Sequence, residues 1–214
     1  TSLVPTGSGE CQDWPWWRGP YRNGAAEPQE NVPTTWSNDE NIAWMTPIPG
    51  RGHGSPTVVG DQVFVAIAER DRQSRSVVCL DRQSGDVRWT RDVHIGHETP
   101  YINEKGSDAS STVACDGDRL FVNFLHDDAM VTSALTLDGE ILWQREVTDY
   151  VVHQAFASSP AVFGELVLVT ADTKAGGAVA ALNRESGEIV WRQERPELPD
   201  YVSPIGLHVA DRTQ

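Results

Sequence analysis

Cysteine is scarce: Cys11, Cys79 and Cys115 are too few and too unevenly spaced for a disulfide framework or a zinc knuckle. Long apolar runs are missing too, and none approaches the ~18–20 residues that a spanning helix needs. Basic residues are few: 17 Lys and Arg face 31 Asp and Glu, a formal net charge of −14. Phosphate binding needs clustered cations that displace counterions, so nucleic acid and anionic membrane surfaces are excluded as partners, and no DNA shift is expected at moderate salt. The opening residues, Thr1 to Gly9, show neither a Met nor a charged-then-apolar signal pattern, and read as disordered, a mature or trimmed terminus or a fragment boundary.

What the chain does have is a phrase that returns. Cys79-Leu80-Asp81-Arg82-Gln83-Ser84-Gly85-Asp86-Val87-Arg88-Trp89 recurs as Ala181-Leu182-Asn183-Arg184-Glu185-Ser186-Gly187-Glu188-Ile189-Val190-Trp191. A shorter copy, Leu135 to Trp143, stands between them. Each keeps a glycine (Gly85, Gly139, Gly187) four residues before its Trp, and the Trp residues are 54 and 48 apart. Such a period marks a repeat architecture. Upstream of each phrase, Ser55-Pro56, Ser111-Thr112 and Ser159-Pro160 open an apolar, β-branched run interrupted by a Gly turn, which is a hairpin signal. A third strand carries the start of the phrase and a fourth ends on the Trp.

Four short antiparallel strands per repeat predict an all-β protein, a β-propeller of four-stranded blades. Blades are expected over about 55–93, 110–147 and 158–195, with a further one beginning at 201–214, after a leader over 1–39. Asn41-Ile42-Ala43-Trp44 reads as the last strand of another blade. The chain thus reads as the N-terminal part of a seven- or eight-bladed disc. Trp89, Trp143 and Trp191 are expected to seal blade against blade, and Cys79, at the place Ala181 takes in the other full copy, to fill a small buried site. On this view the chain alone is an incomplete ring, with apolar surface exposed near Val77 and Leu80 at one end and near Val179, Leu182 and Trp191 at the other. It would then self-associate.

The phrase resembles the closing phrase of the pyrroloquinoline-quinone-like (PQQ-like) propeller repeat. The opening Asp13-Trp14-Pro15-Trp16-Trp17-Arg18-Gly19-Pro20 resembles the Trp-Pro-x-x-Arg-Gly leader of secreted bacterial proteins of that class. The resemblance covers roughly residues 13–206 and implies a periplasmic or secreted protein. Quinone-dependent dehydrogenases of this kind hold PQQ and Ca²⁺ over the disc centre with a vicinal disulfide and a catalytic Asp. This sequence has no Cys-Cys pair and no evident carboxylate constellation. It reads as a cofactor-free, non-catalytic binding scaffold. The alternative is the N-terminal part of a dehydrogenase whose cofactor residues lie outside this chain.

Function on such a scaffold sits in the loops that join each Trp strand to the next blade. They supply the candidate contacts for a protein or glycan at the channel mouth: Arg51, His53, Asn103, Lys105, Asp108, His153, Gln154 and Tyr201. His94 and His97 have zinc-compatible side chains, but in a Gly/Pro-punctuated loop they read as ordinary loop histidines. Ser110, Ser111, Ser158 and Ser159 belong to the blade starts, so their hydroxyls are expected to bond backbone rather than act as nucleophiles. Arg18 is placed to stack on the Trp16 and Trp17 rings, and the leader to pack on the side of the propeller.

Overall fold

The computed structural model describes residues 12–28, 33–96, 103–206, 208–209 and 212–213. The expectations for Thr1–Gly9, Cys11 and His97 fall outside the described residues. Among the described residues there is no helix, and the strands form three four-stranded antiparallel sheets and one two-stranded ribbon. Blade 1 comprises β1 (Thr57–Val59), β2 (Gln62–Glu69), β3 (Ser74–Asp81) and β4 (Val87–Ile95). Blade 2 comprises β5 (Ala114–Cys115), β6 (Arg119–His126), β7 (Ala129–Thr136) and β8 (Ile141–Asp149). Blade 3 comprises β9 (Ala161–Phe163), β10 (Leu166–Ala171), β11 (Gly177–Asn183) and β12 (Ile189–Arg195), and the ribbon pairs β13 (His208–Val209) with β14 (Arg212–Thr213).

The returning phrase folds the same way each time. The Asp81 carboxylate accepts the backbone N–H groups of Gln83 and Ser84, and Gly85 N–H closes on the Asp81 carbonyl at 2.8 Å. Asn183 makes the same turn with Glu185, Ser186 and Gly187. These side-chain-to-backbone bonds explain why the turn opens with Asp or Asn. The Arg88 guanidinium, with the two backbone donors, holds the Asp81 carboxyl well below the usual carboxylate range. After the turn, the ladder slips by one residue in every blade, between Cys79 and Leu80, Ala134 and Leu135, and Ala181 and Leu182. A bulge twists a strand and re-aims its side chains. Here it sits immediately before the Trp.

Cys79 stands opposite Phe64 on one side and Trp89 on the other, and Ala134 stands likewise between Phe121 and Trp143. The small central residue lets the flanking rings meet, with centroids 5.9 and 6.0 Å apart. Cys79 and Cys115 are fully buried, and burial pushes the Cys115 thiol up to about 12. Only the thiolate attacks an alkylating agent. Peptides bearing Cys79 and Cys115 should therefore stay unmodified by iodoacetamide in the native chain, and react fully once it is unfolded. Native labelling at the unfolded rate would mean that the interior breathes freely.

Trp89 and Trp143 each dock on the glycine turn of the following blade, whereas Trp191, expected to do the same, makes no such contact among the described residues. Trp89 Nε1 donates to the Leu137 carbonyl at 3.1 Å, and Trp143 Nε1 to the Arg184 carbonyl at 3.1 Å. Two residues on, Arg91 Nε reaches the Gly139 carbonyl at 2.6 Å and Arg145 Nε the Gly187 carbonyl at 2.8 Å. Trp44 and Thr46 repeat the clasp on blade 1, at Arg82 O (2.9 Å) and Gly85 O (2.6 Å). The residues around Asn41–Trp44 nevertheless form no strand, so the expected final strand of another blade is replaced by an irregular segment that keeps the docking contact alone. Trp44 and Ile48 pack on Leu80, which is why Leu80 is buried rather than exposed, while Val77 is buried against blade 2. Leu182 is buried as well, in a cluster shared with blade 2. Of the apolar surface expected at the two ends, Trp191 remains exposed, at 43%.

The core lies between blades, not within one. Phe64, Val77 and Cys79 of blade 1 pack with Leu120, Val122 and Leu135 of blade 2, while Phe121 and Met130 pack with Val167, Val169 and Leu182 of blade 3. The first strands stand side by side, β1 by β5 and β5 by β9. Their starts are stitched together. Ser55 N–H donates to Thr112 Oγ1 (2.9 Å), Thr112 N–H to Ser159 Oγ (2.9 Å), and Ser159 N–H to Ser203 Oγ (2.8 Å).

The leader crosses these innermost strands rather than the propeller's side. Trp14 forms an antiparallel bridge with Val58, the Pro15 carbonyl accepts Cys115 N–H at 2.8 Å, and Arg22 Nη2 donates to the Val162 carbonyl at 2.5 Å. An edge strand presents unpaired backbone groups, and the leader supplies partners for them on all three blades.

Candidate functional site

The loops that enter each innermost strand gather at one end of the blades. Backbone bonds between Arg51 and Ala68, both 2.9 Å, fix the first loop on β2. From there the Arg51 guanidinium reaches the Glu104 carbonyl at 2.6 Å. His53 N–H donates to the Ala109 carbonyl at 2.9 Å, and its Nδ1 lies 3.0 Å from Ser107 Oγ. Ser107 Oγ in turn lies 3.1 Å from Ser110 Oγ. Asn103 N–H donates to the Gln154 carbonyl at 2.7 Å, and Asn103 Oδ1 accepts Lys105 N–H at 2.9 Å. His153 Nδ1 meets the Tyr201 hydroxyl at 3.2 Å.

Four of the candidates thus find a contact one loop further round: Arg51 and His53 on the 103–109 loop, Asn103 on Gln154, His153 on Tyr201. The residues form a chain along the rim, not a convergent cluster. Asp108 is half-buried and acts at a distance on Arg75, while Lys105 is exposed. Of the blade-start serines, Ser110 Oγ donates to the Ser107 carbonyl, Ser158 Oγ meets Thr170 Oγ1 at 2.6 Å, and Ser159 Oγ accepts Thr112 N–H. Ser111 Oγ is buried without a hydrogen-bond partner, so the expectation of backbone bonding fails there.

His94 is not a loop residue. It lies in β4 one residue before its end, is 7% exposed, and stacks on His126 of the adjacent blade with ring centroids 4.5 Å apart and planes 24° off parallel. The Phe124 ring meets it edge-on at 6.1 Å. Burial, together with the neighbouring His126 and Arg75, holds the His94 imidazole down at about 4. Arg75, 3% exposed, donates to the Gly96 carbonyl at 2.8 Å. Sequence reading missed this pair, because His94 and His126 lie in different repeats and only the stacking of blades brings them together.

Among the described residues no three His, Cys, Asp or Glu side chains stand where they could share a metal ion. A Ca²⁺ site draws on several oxygen ligands, carboxylates among them, and on the described rim the carboxylates Glu104 and Asp108 stand among amides, imidazoles and hydroxyls.

The family model described as outer membrane protein assembly factor BamB matches residues 31–109 and 73–212. The chain belongs to this PQQ-like propeller family. It is similar to the outer membrane protein assembly factor BamB of Yersinia pestis, 22% identical over 181 residues, covering 81% of this chain and 42% of that protein. It is also similar to a polyvinylalcohol dehydrogenase of a Pseudomonas species, 23% identical over 193 residues, covering 84% of this chain and 28% of the enzyme. The chain therefore spans less than half the length of these relatives. Among solved structures, the quinohemoprotein alcohol dehydrogenase from Comamonas testosteroni shares the fold with a TM-score of 0.52 at 21% identity, covering 68% of this chain and 21% of that one. A europium-containing methanol dehydrogenase does so with a TM-score of 0.50 at 22% identity, covering 67% and 25%.

Proposed function

We propose that the chain is part of a PQQ-like propeller that acts as a non-catalytic binding module of the bacterial cell envelope, with a protein as the partner at its rim. The observation that carries this reading is the rim itself. His53–Ser107, Asn103–Gln154 and His153–Tyr201 tie successive loops together, giving a fixed polar surface with no convergent acid–base pair among the described residues. Loops held on a rigid scaffold suit recognition. The likeness to an outer membrane assembly factor supports both a protein partner and an envelope location.

A photo-crosslinking residue at position 105, on the rim, should yield adducts with one envelope protein. The same residue at position 165, on the exposed turn at the other end of blade 3, should yield none. Adducts at 165 but not at 105, or adducts made only of glycan, would overturn the reading.

The polyvinylalcohol dehydrogenase match favours a second reading, a quinone-dependent dehydrogenase whose cofactor residues lie outside this chain. The longer protein incubated with PQQ and Ca²⁺ should show no oxidation of alcohols or sugars above the blank. Sustained turnover would replace the scaffold with the enzyme.

A further inference from the structure

The rim contacts make no use of a buried titratable cluster at the seam between blades 1 and 2. There the His94 and His126 rings lie face to face, one from each blade, with Phe124 edge-on to His94. His94 Nε2 is buried without a hydrogen-bond partner, so a proton placed on it meets no acceptor. Charge crowds the same place. Arg75, 3% exposed, stands opposite His94 in the β3–β4 ladder and donates to the Gly96 carbonyl. In the β6–β7 turn, Asp127 Oδ2 lies 3.4 Å from His126 Nε2 and draws a proton to that ring. Asp128 follows it, its carbonyl accepting Tyr150 N–H. Asp108, on the loop before β5, attracts Arg75 as Asp127 does. Asp92 of β4 is turned away, bonded to Ser76 and Arg72.

Among the described residues, then, Arg75, Asp108, Asp127 and Asp128 are the charged groups on the elements that pack against the stack. With a proton on His126, a second on His94 puts three cations, Arg75 included, into one desolvated seam. Like charges held so close disfavour protonation, and drawing the rings apart relieves them. Such a movement reaches the rim. Val93, beside His94, and Phe124 share a buried cluster with Ala109 of the 103–109 loop. The Ala109 carbonyl in turn accepts His53 N–H at 2.9 Å, so the loop hangs on the contacts that hold the stack.

We propose that acid opens this seam locally: the His94–His126 stack takes up a proton, blades 1 and 2 part at their rim end, and the 103–109 loop leaves His53 while blade 3 stays folded. The closed stack refuses a proton down to about pH 4, while an opened one accepts it near 6.5. Each unit of pH in that window therefore multiplies the opened population by up to about ten, from a small minority at neutral pH. Any effect on a partner rests on the rim reading above, whereas the opening itself is tested on the chain alone.

The test is amide hydrogen exchange on the whole chain between pH 7 and pH 4, read as protection factors. The His53 amide should be at least about tenfold less protected than Ala180 and Leu182 in β11, and should lose up to about tenfold per unit below pH 6.5. A local opening exposes little surface, so low urea should leave His53 exchange unchanged and speed that of β11. His94→Phe, which removes the proton site and keeps a ring, should flatten the acid response of His53. Should that variant fail to fold by circular dichroism, His94→Leu takes its place with the same expectation. Protection at His53 that is constant from pH 6.5 to pH 4, that follows β11 in urea, or that falls with acid in the folded variant as in the parent would overturn the proposal.

Discussion

Alanine at position 187 is expected to lower the unfolding free energy by about 2–5 kcal/mol, and alanine at position 164 by only about 1–2. Both glycines sit in the left-handed region, at φ 70° and 54°. An L residue there pays about 1–2 kcal/mol at either site. The difference lies in what a methyl group meets. At Gly164 nothing stands within 4 Å, whereas at Gly187 the new Cβ would fall 2.5 Å from the Trp143 ring. The indole cannot step back without breaking its Nε1 bond to the Arg184 carbonyl and drawing Arg145 off the Gly187 carbonyl. Overpacking of this kind adds about 1–3 kcal/mol. Urea unfolding of the two variants beside the parent measures the gap. Equal losses would show that the docked Trp yields freely and that the blade interface is looser than its geometry.

The same clasp explains why so much of the architecture could be read from one chain. Asp or Asn, then Gly, then Trp is a local phrase, and each member has a local reason: the Asp81 turn, the positive φ of Gly85, the bulge that aims Trp89. Strand order and blade number follow from repeating it. What needed three dimensions is what joins one repeat to another. Nothing local shows that Trp89 ends on residues 137–139, that Arg22 crosses to Val162, or that His94 lies on His126. The rim was legible in part. The loops were placed correctly as connections between blades, but Ser107 as the partner of His53 depends on how two loops meet. Val77 is buried against blade 2, and the buried state of Leu80 was misjudged for a related reason. Trp44 was read as belonging to a regular strand, while the structure shows that a docked side chain on irregular backbone covers the face equally well.

Acid should expose the cost of the histidine stack. His94 has an imidazole pKa of about 4 in the folded chain, against an ordinary value of 6.5, with burial the main cause and the adjacent His126 and Arg75 adding to it; Asp127 acts in the opposite sense. Above pH 6.5 the ring is neutral whether the chain is folded or not, and it contributes no pH dependence. Between 6.5 and about 4 the unfolded chain takes up a proton that the folded one refuses, so stability falls as pH falls through that window. The shift corresponds to about 3 kcal/mol, as an order of magnitude, lost by about pH 4. His94→Phe keeps a ring against His126 and Phe124 and removes the proton site. Its unfolding free energy should fall less than the parent's between pH 7 and pH 4, by about that amount, while the carboxylates common to both chains cancel in the comparison. Parallel pH profiles for the two proteins would mean that the stack opens to solvent and lets His94 take its proton in the folded state.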